Sequence, residues 1–386
     1  DLHSTSRRQR QMCIRDRRIG ERMKLIKHYK YIGILSIVLL VFILIILFKS
    51  DITIFKSDKK TSSGSDNQSI NTALIIDSEL HKEEISQLKQ SVADCSDKYD
   101  KKYSVFKTDD CNGSYEKTID SAIKSGATLI ICPDSTFEET VYDIQNSYIG
   151  VYFLIIDGIP HNSDASDATL NFNSISLTFS EAELGFLAGY AAVYEGYSKL
   201  SFVGVDNDIK SLHYYYGFLQ GADYAAKDTN RKDIHISSTF TSIEDYDISL
   251  NKAYATKPDV LIICDEELVN KSLDFATEND VKIIACDDSY PKDSENIIAN
   301  TVKNYYLPIY DYLTKFYKNN FESGKVIEYS TSEEAVSLIY NTSSFTKFDS
   351  KIYDSIYQKL ASDEIQIISD TTVSPEEIGL TNIKLD

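Results

Sequence analysis

Acidic residues follow most of the apolar runs in this sequence, where their side chains could form a polar binding site. The residues concerned are Asp77, Asp134 with Ser135, Asp157, Asp206, Cys264 with Asp265, and Asp287 with Asp288. If the runs are strands of parallel sheets, these residues share the carboxyl edge of a sheet, where such sheets bind ligands. Carboxylates at that edge suit a ligand rich in hydroxyl or amino groups, as a ribose would be. The alternative is that each acid only caps the helix that follows its strand.

The sequence offers little that would support catalysis. It has no G-x-S-x-G, P-loop, H-E-x-x-H or G-x-G-x-x-G motif, so we expect no cofactor. Closely spaced cysteine pairs with histidines are also missing, so we expect no metal site. The adjacent Asp287 and Asp288 could serve a nucleosidase-type enzyme, but neighbouring residues at a strand end point to opposite sides. We therefore predict a binding protein and keep the nucleosidase as a remote alternative.

The elements that position these acids alternate between strand and helix. Strands are predicted at 72–77, 103–107, 128–132, 151–157, 199–204, 234–239, 259–264 and 281–286, with amphipathic segments between them. This alternation predicts an α/β fold with parallel sheets. The segment ATLIICPDSTFEETV at 127–141 echoes PDVLIICDEELVNKS at 258–272, which indicates two similar lobes.

The lobes are not continuous in sequence. A helix at 304–320 is expected to cross back to the first lobe, and GKVIEYS and VSLIY in the tail supply further strands. We therefore assign lobe 1 to about 72–178 plus 304–322. Lobe 2 takes about 179–303 plus part of the C-terminal tail.

The stretch 176–221 carries the clearest packing signal. Ser180 and Glu183 have the spacing of a capping box, which predicts a helix starting at Ser180. Glycine inside a helix costs about 1 kcal/mol relative to alanine, so repeated helical glycines imply a compensating close approach. We expect that approach to be against the backbone of a sheet. The glycines fall in two pairs, each spaced by four residues: Gly185 with Gly189, and Gly217 with Gly221.

The same stretch resembles the basic membrane protein family, which comprises the nucleoside-binding, membrane-anchored receptors of bacterial ABC importers. The resemblance rests on LTFSEAELGFLAGYAA at 177–192, a strand ending FVG, and then YxxGFLQGA. It extends over roughly 72–340 through LIIDGIP at 154–160, IIACDD at 283–288 and NTVKN at 300–304. It implies a type I periplasmic-binding fold, whose two lobes close over a purine nucleoside for delivery to an ABC permease.

The resemblance also implies roles for individual residues. Asp287 stands where the family's aspartate contacts the ribose, Lys303 where its lysine reaches the cleft, and Tyr214 where a phenylalanine stacks on the base. The alternative for Tyr214 is a surface position in the run Tyr214–Tyr216. The ligand-binding residues we predict are Asp77, Asp134, Ser135, Phe137, Asp157, Tyr214, Asp265, Asp287 and Lys303.

The sequence departs from the family in the first lobe. There DSELHKEEISQ at 77–87 replaces the family's loop ending in Ser-Phe-Asn-Gln, and only Asp77 is retained. The family's glycine-rich turn after the strand at 259–264 is also replaced, by three acids. Either Phe137 or another aromatic residue substitutes for the lost stacking residue, or the ligand is not a nucleoside.

The N-terminal region differs in composition from the rest of the chain. Residues 1–22 hold seven arginines, whereas the remainder of the chain holds one, so we interpret 1–22 as a non-native leader. Residues 23–49 are interpreted as a membrane anchor, because 31–48 contain no charge and lysines precede them. Residues 50–71 form a polar tether to the domain at 72–386, which the anchor would place outside the cell. No cysteine occurs where the family's lipid attachment would require one.

The net charge and the cysteines bear on the partners of the protein and on its disulfides. The net charge of −19 argues against a nucleic-acid partner, which would demand a basic surface. In an extracytoplasmic domain Cys95 and Cys111 could form a disulfide, whereas Cys132, Cys264 and Cys286 end apolar strands and are expected to be small buried residues.

We predict a membrane-anchored substrate-binding protein that works by hinge closure. The alternative is a sensor or regulatory module that kept the fold and lost transport.

Overall fold

The computed structural model describes residues 71–77, 82–242, 245–286 and 294–386, together with the backbone but not the side chain of Glu266. These residues belong to one compact unit, 68–386. The predicted leader and anchor, and all of the predicted tether except Asn71, lie outside the described residues. Among the described helices, none is both long and apolar enough to cross a membrane.

The described strands and helices alternate along most of the chain, as the sequence predicts. The strands are β1 Thr72–Ile76, β2 Tyr103–Lys107, β3 Leu129–Cys132, β4 Tyr152–Ile156, β5 Ser174–Phe179, β6 Lys199–Val205, β7 Ile234–Thr241, β8 Val260–Ile263, β9 Lys282–Cys286, β10 Ile297–Lys303, β11 Lys325–Tyr329, β12 Val336–Tyr340 and β13 Ile383–Leu385. The helices are α1 Lys82–Lys98, α2 Tyr115–Lys124, α3 Glu138–Ile144, α4 Glu181–Glu195, α5 Ile209–Asp228, α6 Tyr246–Ala255, α7 Glu266–Asn279, α8 Tyr306–Tyr317 and α9 Ser350–Ala361.

The strands form two sheets, one in each lobe. The first has the order β11-β5-β4-β3-β1-β2 and is parallel throughout, and the second has the order β12-β10-β9-β8-β6-β7-β13. In the second sheet only β12 runs antiparallel to its neighbour. Strands such as β1 and β8 are buried along their whole length, which explains their continuous apolar sequences. The two-lobed parallel α/β architecture is thus confirmed.

The sequence echo between 127–141 and 258–272 has a structural counterpart. In chain order, β3 and β8 are each the third strand of their own sheet. Each lies beside the first strand of that sheet, on the side away from the second strand, so both sheets contain the order 2-1-3-4-5. Ligands of such doubly wound sheets bind beyond the carboxyl ends of the strands, near the point where the strand order reverses. The carboxyl ends of several strands are therefore the place to look for a site.

The chain passes between the two sheets three times within the described residues. The connections are 179–181, 303–306 and 329–331. One hydrogen bond joins the first connection to the third, since Ser180 N donates to Tyr329 O at 2.9 Å. In the second connection, Asn304 N donates to Ala335 O, directly before β12, at 2.8 Å. After the second crossing, α8 packs on α1, where Ser91 Oγ donates to Tyr306 O at 2.9 Å. These crossings bring α4 and β10 to the boundary between the lobes.

The small face of α4 packs against another helix, so the expectation of a helix-on-sheet contact is wrong. A Cβ placed on Gly185 would lie closer than 3.0 Å to the carbonyl oxygen of Tyr214, and one on Gly217 would approach Ala182 O as closely. Gly189 and Gly221 meet carbonyl oxygens in the same way. The four glycines therefore let the backbones of α4 and α5 touch.

The predicted capping-box hydrogen bonds at the start of α4 are not formed. The helix does begin at Glu181, but the Ser180 hydroxyl makes no capping hydrogen bond. The carboxylate of Glu183 instead accepts a hydrogen bond from Thr331 N at 2.7 Å. Because Thr331 lies in the third crossing, Glu183 ties the start of α4 to the boundary between the lobes.

Candidate functional site

A cavity of about 150 Å³ lies between the lobes, at the carboxyl ends of strands from both sheets. The first lobe contributes Asp157, which directly follows β4. The second lobe contributes residues from β10, from the ends of β8 and β9, and from the first turns of α4 and α5. The lining residues are Asp157, Glu181, Leu184, Asp208, Lys210, Ser211, Tyr214, Cys264, Cys286, Thr301 and Lys303.

Four charged side chains form a cluster in this cavity. Lys303 Nζ lies 2.8 Å from Asp157 Oδ2 and 2.5 Å from Glu181 Oε1. Lys210 Nζ lies 3.3 Å from the same Oδ2 atom of Asp157. Asp157 belongs to the first lobe and the other three residues to the second, so the cluster spans the boundary between the lobes.

Burial makes these charges depend on one another. The side chains of Asp157, Glu181 and Lys303 are 14%, 11% and 18% exposed. Burial acts to lower the pKa of Lys303, but the carboxylates of Asp157 and Glu181 outweigh it and raise that pKa well above its usual value. Lys303 therefore stays charged across the physiological range.

The two carboxylates respond to this environment in opposite directions. Burial acts to raise the pKa of Asp157, but Lys303 and Lys210 outweigh it and hold that pKa below its ordinary value. The pKa of Glu181 is raised, first by burial and then by repulsion from Asp157, although Lys303 opposes both effects. Asp157 is therefore the firmly ionised member of the pair.

Polar and sulfur-containing side chains complete the wall. The Tyr214 hydroxyl lies 3.2 Å from Thr301 Oγ1, and Cys264 Sγ donates to Ser211 Oγ at 3.1 Å. Cys132 is fully buried, as expected, but Cys264 and Cys286 are only half-buried and line the cavity. The expectation that all three cysteines are core residues is therefore corrected for these two.

Three of the predicted ligand-binding residues, Asp157, Tyr214 and Lys303, meet at this cavity. Tyr214 is only 1% exposed, and the neighbouring Tyr215 and Tyr216 are buried as well, so the surface alternative for this run is wrong. Tyr214 lines the cavity, and its hydroxyl lies near that of Thr301, which also lines it. Asp287 and Asp288 lie outside the described residues, so the predicted ribose contact stays a prediction.

Apart from Asp157, the predicted residues of the first lobe lie outside the lining of the cavity. Asp77 accepts a hydrogen bond from Thr108 Oγ1 at 3.0 Å. Asp134 caps the short turn that starts at Ser135, accepting from Thr136 N at 2.8 Å. Burial raises the pKa of Asp134, with repulsion from Asp77 adding to this effect and hydrogen bonds from Thr136 opposing it. Ser135 itself is exposed.

Phe137 and Asp265 have structural positions. Phe137 is fully buried in the first lobe and packs on Tyr115, with 4.5 Å between the ring centroids. Since no part of its ring is accessible, the prediction that Phe137 replaces the family's stacking residue is wrong for this arrangement. Asp265 caps α7 by accepting a hydrogen bond from Leu268 N at 2.8 Å. For this residue the alternative applies that the acid caps the helix after its strand.

The predicted disulfide is not formed, and both Cys95 and Cys111 are free thiols. Cys95 is buried between α1 and α8, where its Sγ lies 3.6 Å from Thr314 Oγ1. Cys111 ends a short 3₁₀ turn after β2 and is half-buried. In this arrangement the Cys95 thiol contacts α8, whereas Cys111 lies after β2.

Sequence reasoning missed Glu181, Asp208, Lys210 and Thr301 in the site. Asp208 and Lys210 had a usable signal, since Asp208 follows a strand and caps α5 by accepting from Lys210 N and Ser211 N. Glu181 sits in the first turn of α4, where an acid is explained by the helix dipole alone. No group of histidines, cysteines or acids among the described residues could hold a metal ion.

Comparisons with known proteins match this chain to a family. The profile of a family described as "ABC transporter substrate-binding protein PnrA-like" matches residues 73–377. Basic membrane protein A1 of Borrelia garinii is 24% identical over 266 residues, which cover 65% of this chain and 74% of that protein. Basic membrane protein A of Borreliella burgdorferi is 26% identical over 274 residues, covering 67% and 76%.

Solved structures share the fold at low sequence identity. A solute-binding protein of an ABC transporter system from Conexibacter woesei gives a TM-score of 0.56 at 15% identity, covering 78% of this chain and 99% of that one. A transcriptional activator of the comK gene from Bacillus halodurans also gives 0.56, at 16% identity, covering 79% and 99%. The profile match, which spans most of the chain, shows that this protein is a divergent member of the PnrA-like family of ABC transporter substrate-binding proteins.

Proposed function

We propose that this protein binds an uncharged, hydroxyl-bearing small molecule, a purine nucleoside, in the cavity between its lobes and presents it to an ABC permease. The observation that carries the proposal is the charged cluster of Asp157, Glu181 and Lys303 beside the hydroxyl groups of Thr301 and Ser211. Carboxylate and ammonium groups side by side can accept from and donate to the same pair of ligand hydroxyls.

The charge of the cavity supports an uncharged ligand. Each charge of the cluster already faces an opposite one, with Lys303 against two carboxylates and Asp157 against two lysines. A charged ligand would have to give up its own hydration without a free partner, which is unfavourable in a buried site. A nucleoside meets this requirement, whereas a nucleotide carries phosphate charges that the cluster does not balance.

The sugar part of such a ligand is better supported than its base. Asp157 and Lys303 are available in the cavity for ribose hydroxyls, and family resemblance adds Asp287. For the base, Phe137 is enclosed in the core and Tyr214 is almost fully buried. We therefore propose that the ribose contributes more of the binding energy than base stacking does.

We further propose that residues 31–48 anchor the protein in the cell membrane, with the binding domain outside. The run of 18 uncharged residues behind several lysines supports this orientation. A sensor or regulatory role remains the second candidate, because the fold is shared about equally with a transcriptional activator. The nucleosidase-type enzyme stays a remote alternative, because the family that the chain matches is described as one of substrate-binding proteins.

A ligand screen by thermal shift, followed by calorimetric titration, tests the proposal. A purine nucleoside at 100 times its dissociation constant should stabilise the protein by about 2.7 kcal/mol, which raises the melting temperature by several degrees. Free ribose, bases, amino acids and nucleotides form the comparison set. Stabilisation by nucleotides but not by nucleosides would contradict the proposed charge selection, and no stabilisation by any of these compounds would favour the sensor.

Matched variants locate the site. Asp157→Asn removes one carboxylate from the cavity, whereas Asp265→Asn makes the same change at a helix cap outside the cavity, where asparagine also caps well. We expect Asp157→Asn to weaken binding about tenfold or more, because a hydrogen bond to a charged group is lost. Asp265→Asn should bind like the unchanged protein, and equal losses in both variants would place the ligand elsewhere.

A further inference from the structure

The segment that follows β4 carries Asp157 into the cavity and is held from two sides. From β5, the Ser176 hydroxyl donates a hydrogen bond to Gly158 O. From α3, which begins at Glu138, the carboxylate oxygen Oε1 of that residue accepts a hydrogen bond from Ile159 N at 2.7 Å. Glu138 therefore fixes the backbone two residues beyond Asp157.

The second carboxylate oxygen of Glu138 faces His161. This oxygen, Oε2, lies 3.0 Å from His161 Nε2, and the two side chains are 19% and 25% exposed. The other ring nitrogen, Nδ1, lies 2.7 Å from the backbone carbonyl oxygen of Asn162. A carboxylate and a carbonyl oxygen only accept hydrogen bonds, so both ring nitrogens must donate. His161 is therefore an imidazolium ion, and Glu138 holds the segment at two points.

The backbone of the segment has little freedom to adopt another course. Asp157 has a φ of +54°, in the left-handed region that is uncommon for residues other than glycine. A Cβ on Gly158 would lie closer than 3.0 Å to Glu138 Oε1 and to Ser135 Cα, so the segment is seated directly on the start of α3. Backbone conformations of this kind persist where the surrounding contacts require them. The contacts of Glu138 thus contribute to the position of the Asp157 carboxylate.

The charge of His161 is stabilised by its surroundings. The hydrogen bond to the carbonyl of the next residue raises the pKa of His161 above its ordinary value, the charges of Glu138 and Glu139 raise it further, and burial opposes them. On the loop that continues from His161, hydrogen bonds from neighbouring hydroxyl groups lower the pKa of Asp164 and of Asp167. Both of these carboxylates therefore stay ionised near neutral pH, where His161 titrates.

We propose that Glu138 and protonated His161 position Asp157 for the ligand, so that loss of the His161 proton to solvent weakens ligand binding. Both are positioning residues, because only Asp157 of the three lines the cavity. A neutral imidazole has a single N–H group, so one of its two hydrogen bonds must be lost. The effect on binding rests on the proposed function, whereas the order of the segment 157–162 does not.

The expected pH dependence has a definite sign. Because the pKa of His161 is raised in the folded protein, the contact is complete below the unfolded value of about 6.5 and is lost as the pH rises through the folded value. Loss of one hydrogen bond to a charged group should weaken binding about three- to tenfold. The pKa of Glu181 in the cavity is raised as well, so the effect of His161 has to be isolated with variants.

The test compares His161→Gln with His235→Gln in the full chain. Glutamine removes the titrating charge, and His235 lies outside the lining of the cavity, 3.1 Å from a carboxylate oxygen of Asp386. Calorimetric titration with adenosine at several pH values measures the affinity. We expect the unchanged protein and His235→Gln to lose affinity about three- to tenfold between about pH 6 and pH 9, and His161→Gln to bind weakly throughout. The same pH profile in all three proteins would overturn the proposal.

Hydrogen–deuterium exchange without ligand, corrected for the intrinsic rate at each pH, follows the segment 157–162. Protection that falls with rising pH in the unchanged protein and in His235→Gln, and that is low at every pH in His161→Gln, supports the positioning role. Equal protection in all three proteins would overturn it. If adenosine binds to none of the proteins, the proposed nucleoside ligand is wrong, and the exchange result alone decides whether His161 and Glu138 hold the segment.

Discussion

The contact between α4 and α5 gives the sharpest prediction, which is that Gly217→Ala destabilises the protein. A Cβ at position 217 would lie closer than 3.0 Å to three backbone atoms of Ala182, whereas ordinary van der Waals contact begins near 3.4 Å. No side chain can rotate to relieve this overlap, because the obstructing atoms belong to the helix backbone. The two helices must therefore move apart.

The magnitude follows from two opposing terms. In a helix interior alanine is more favourable than glycine by about 1 kcal/mol. Overpacking a tight contact costs about 1–3 kcal/mol, and a backbone overlap belongs at the upper end of that range. The expected net loss is about 2 kcal/mol, which corresponds to a melting temperature lower by about 3 °C in a protein of this size.

Thermal and urea denaturation of the full chain measure this loss. Gly150→Ala is the matched control, because a Cβ there would have nothing within 4 Å and its backbone has no positive φ. We expect the control to melt within about 1 °C of the unchanged protein. If Gly217→Ala were as stable as the unchanged protein or more stable, helix propensity would outweigh the contact, and the close approach of α4 and α5 would be refuted.

Three further predictions concern other parts of the molecule. Lys303→Met should destabilise the protein by about 3 kcal/mol at neutral pH, because two buried carboxylates lose their shared cation. Denaturation measured at neutral and at acidic pH should show that this loss of stability shrinks as the carboxylates become protonated. Glu195→Gln should cost about 1–3 kcal/mol near neutral pH, because its carboxylate accepts hydrogen bonds from three successive backbone N–H groups, those of residues 346–348. Alkylation of the denatured, unreduced protein, followed by mass spectrometry, should label both Cys95 and Cys111.

The pH dependence of the Glu195 effect has a definite sign. Burial acts to raise the pKa of Glu195, but the backbone hydrogen bonds outweigh it and lower that pKa below its ordinary value. A lowered pKa means that the stabilisation is complete above the unfolded value of about 4.3 and is lost as the pH falls through the folded value. The difference between the unchanged protein and Glu195→Gln should therefore shrink only in acid.

A specific result would contradict each of these three predictions. A constant destabilisation by Lys303→Met at all pH values would show that lost packing, not the unpaired carboxylates, causes it. A growing effect of Glu195→Gln on acidification would contradict the hydrogen-bonded carboxylate. An unlabelled pair of cysteines that becomes labelled only after reduction would restore the disulfide.

Much of the fold follows from the sequence alone. Runs such as TALII and VLII are apolar without interruption, which is the pattern of strands covered on both faces of a parallel sheet. The repeat of LIIC at 129–132 and 261–264 indicates two related lobes, and both segments do form the third strand of their sheets. Patterns of this kind are local, so a single stretch contains the information needed to interpret them.

The partners of the polar residues could not be obtained in this way. Asp134, Asp157 and Asp265 all follow buried strands and look equivalent in sequence, yet two cap a turn or a helix and only Asp157 enters the cavity. The difference lies in Lys210 and Lys303, which are 53 and 146 residues away from Asp157 in sequence. No local pattern specifies which side chain lies opposite across a cleft.

The helix glycines show the same division. Their spacing alone determined that two helices carry a face without side chains, and that something approaches this face closely. Only the tertiary structure decided that the approaching group is the other helix rather than a sheet. A residue type reports how much space its position allows, whereas the group that occupies the space is set by contacts between distant parts of the chain. The closed cluster of Asp157, Lys210 and Lys303 likewise exists only because three crossings of the chain bring the two lobes together.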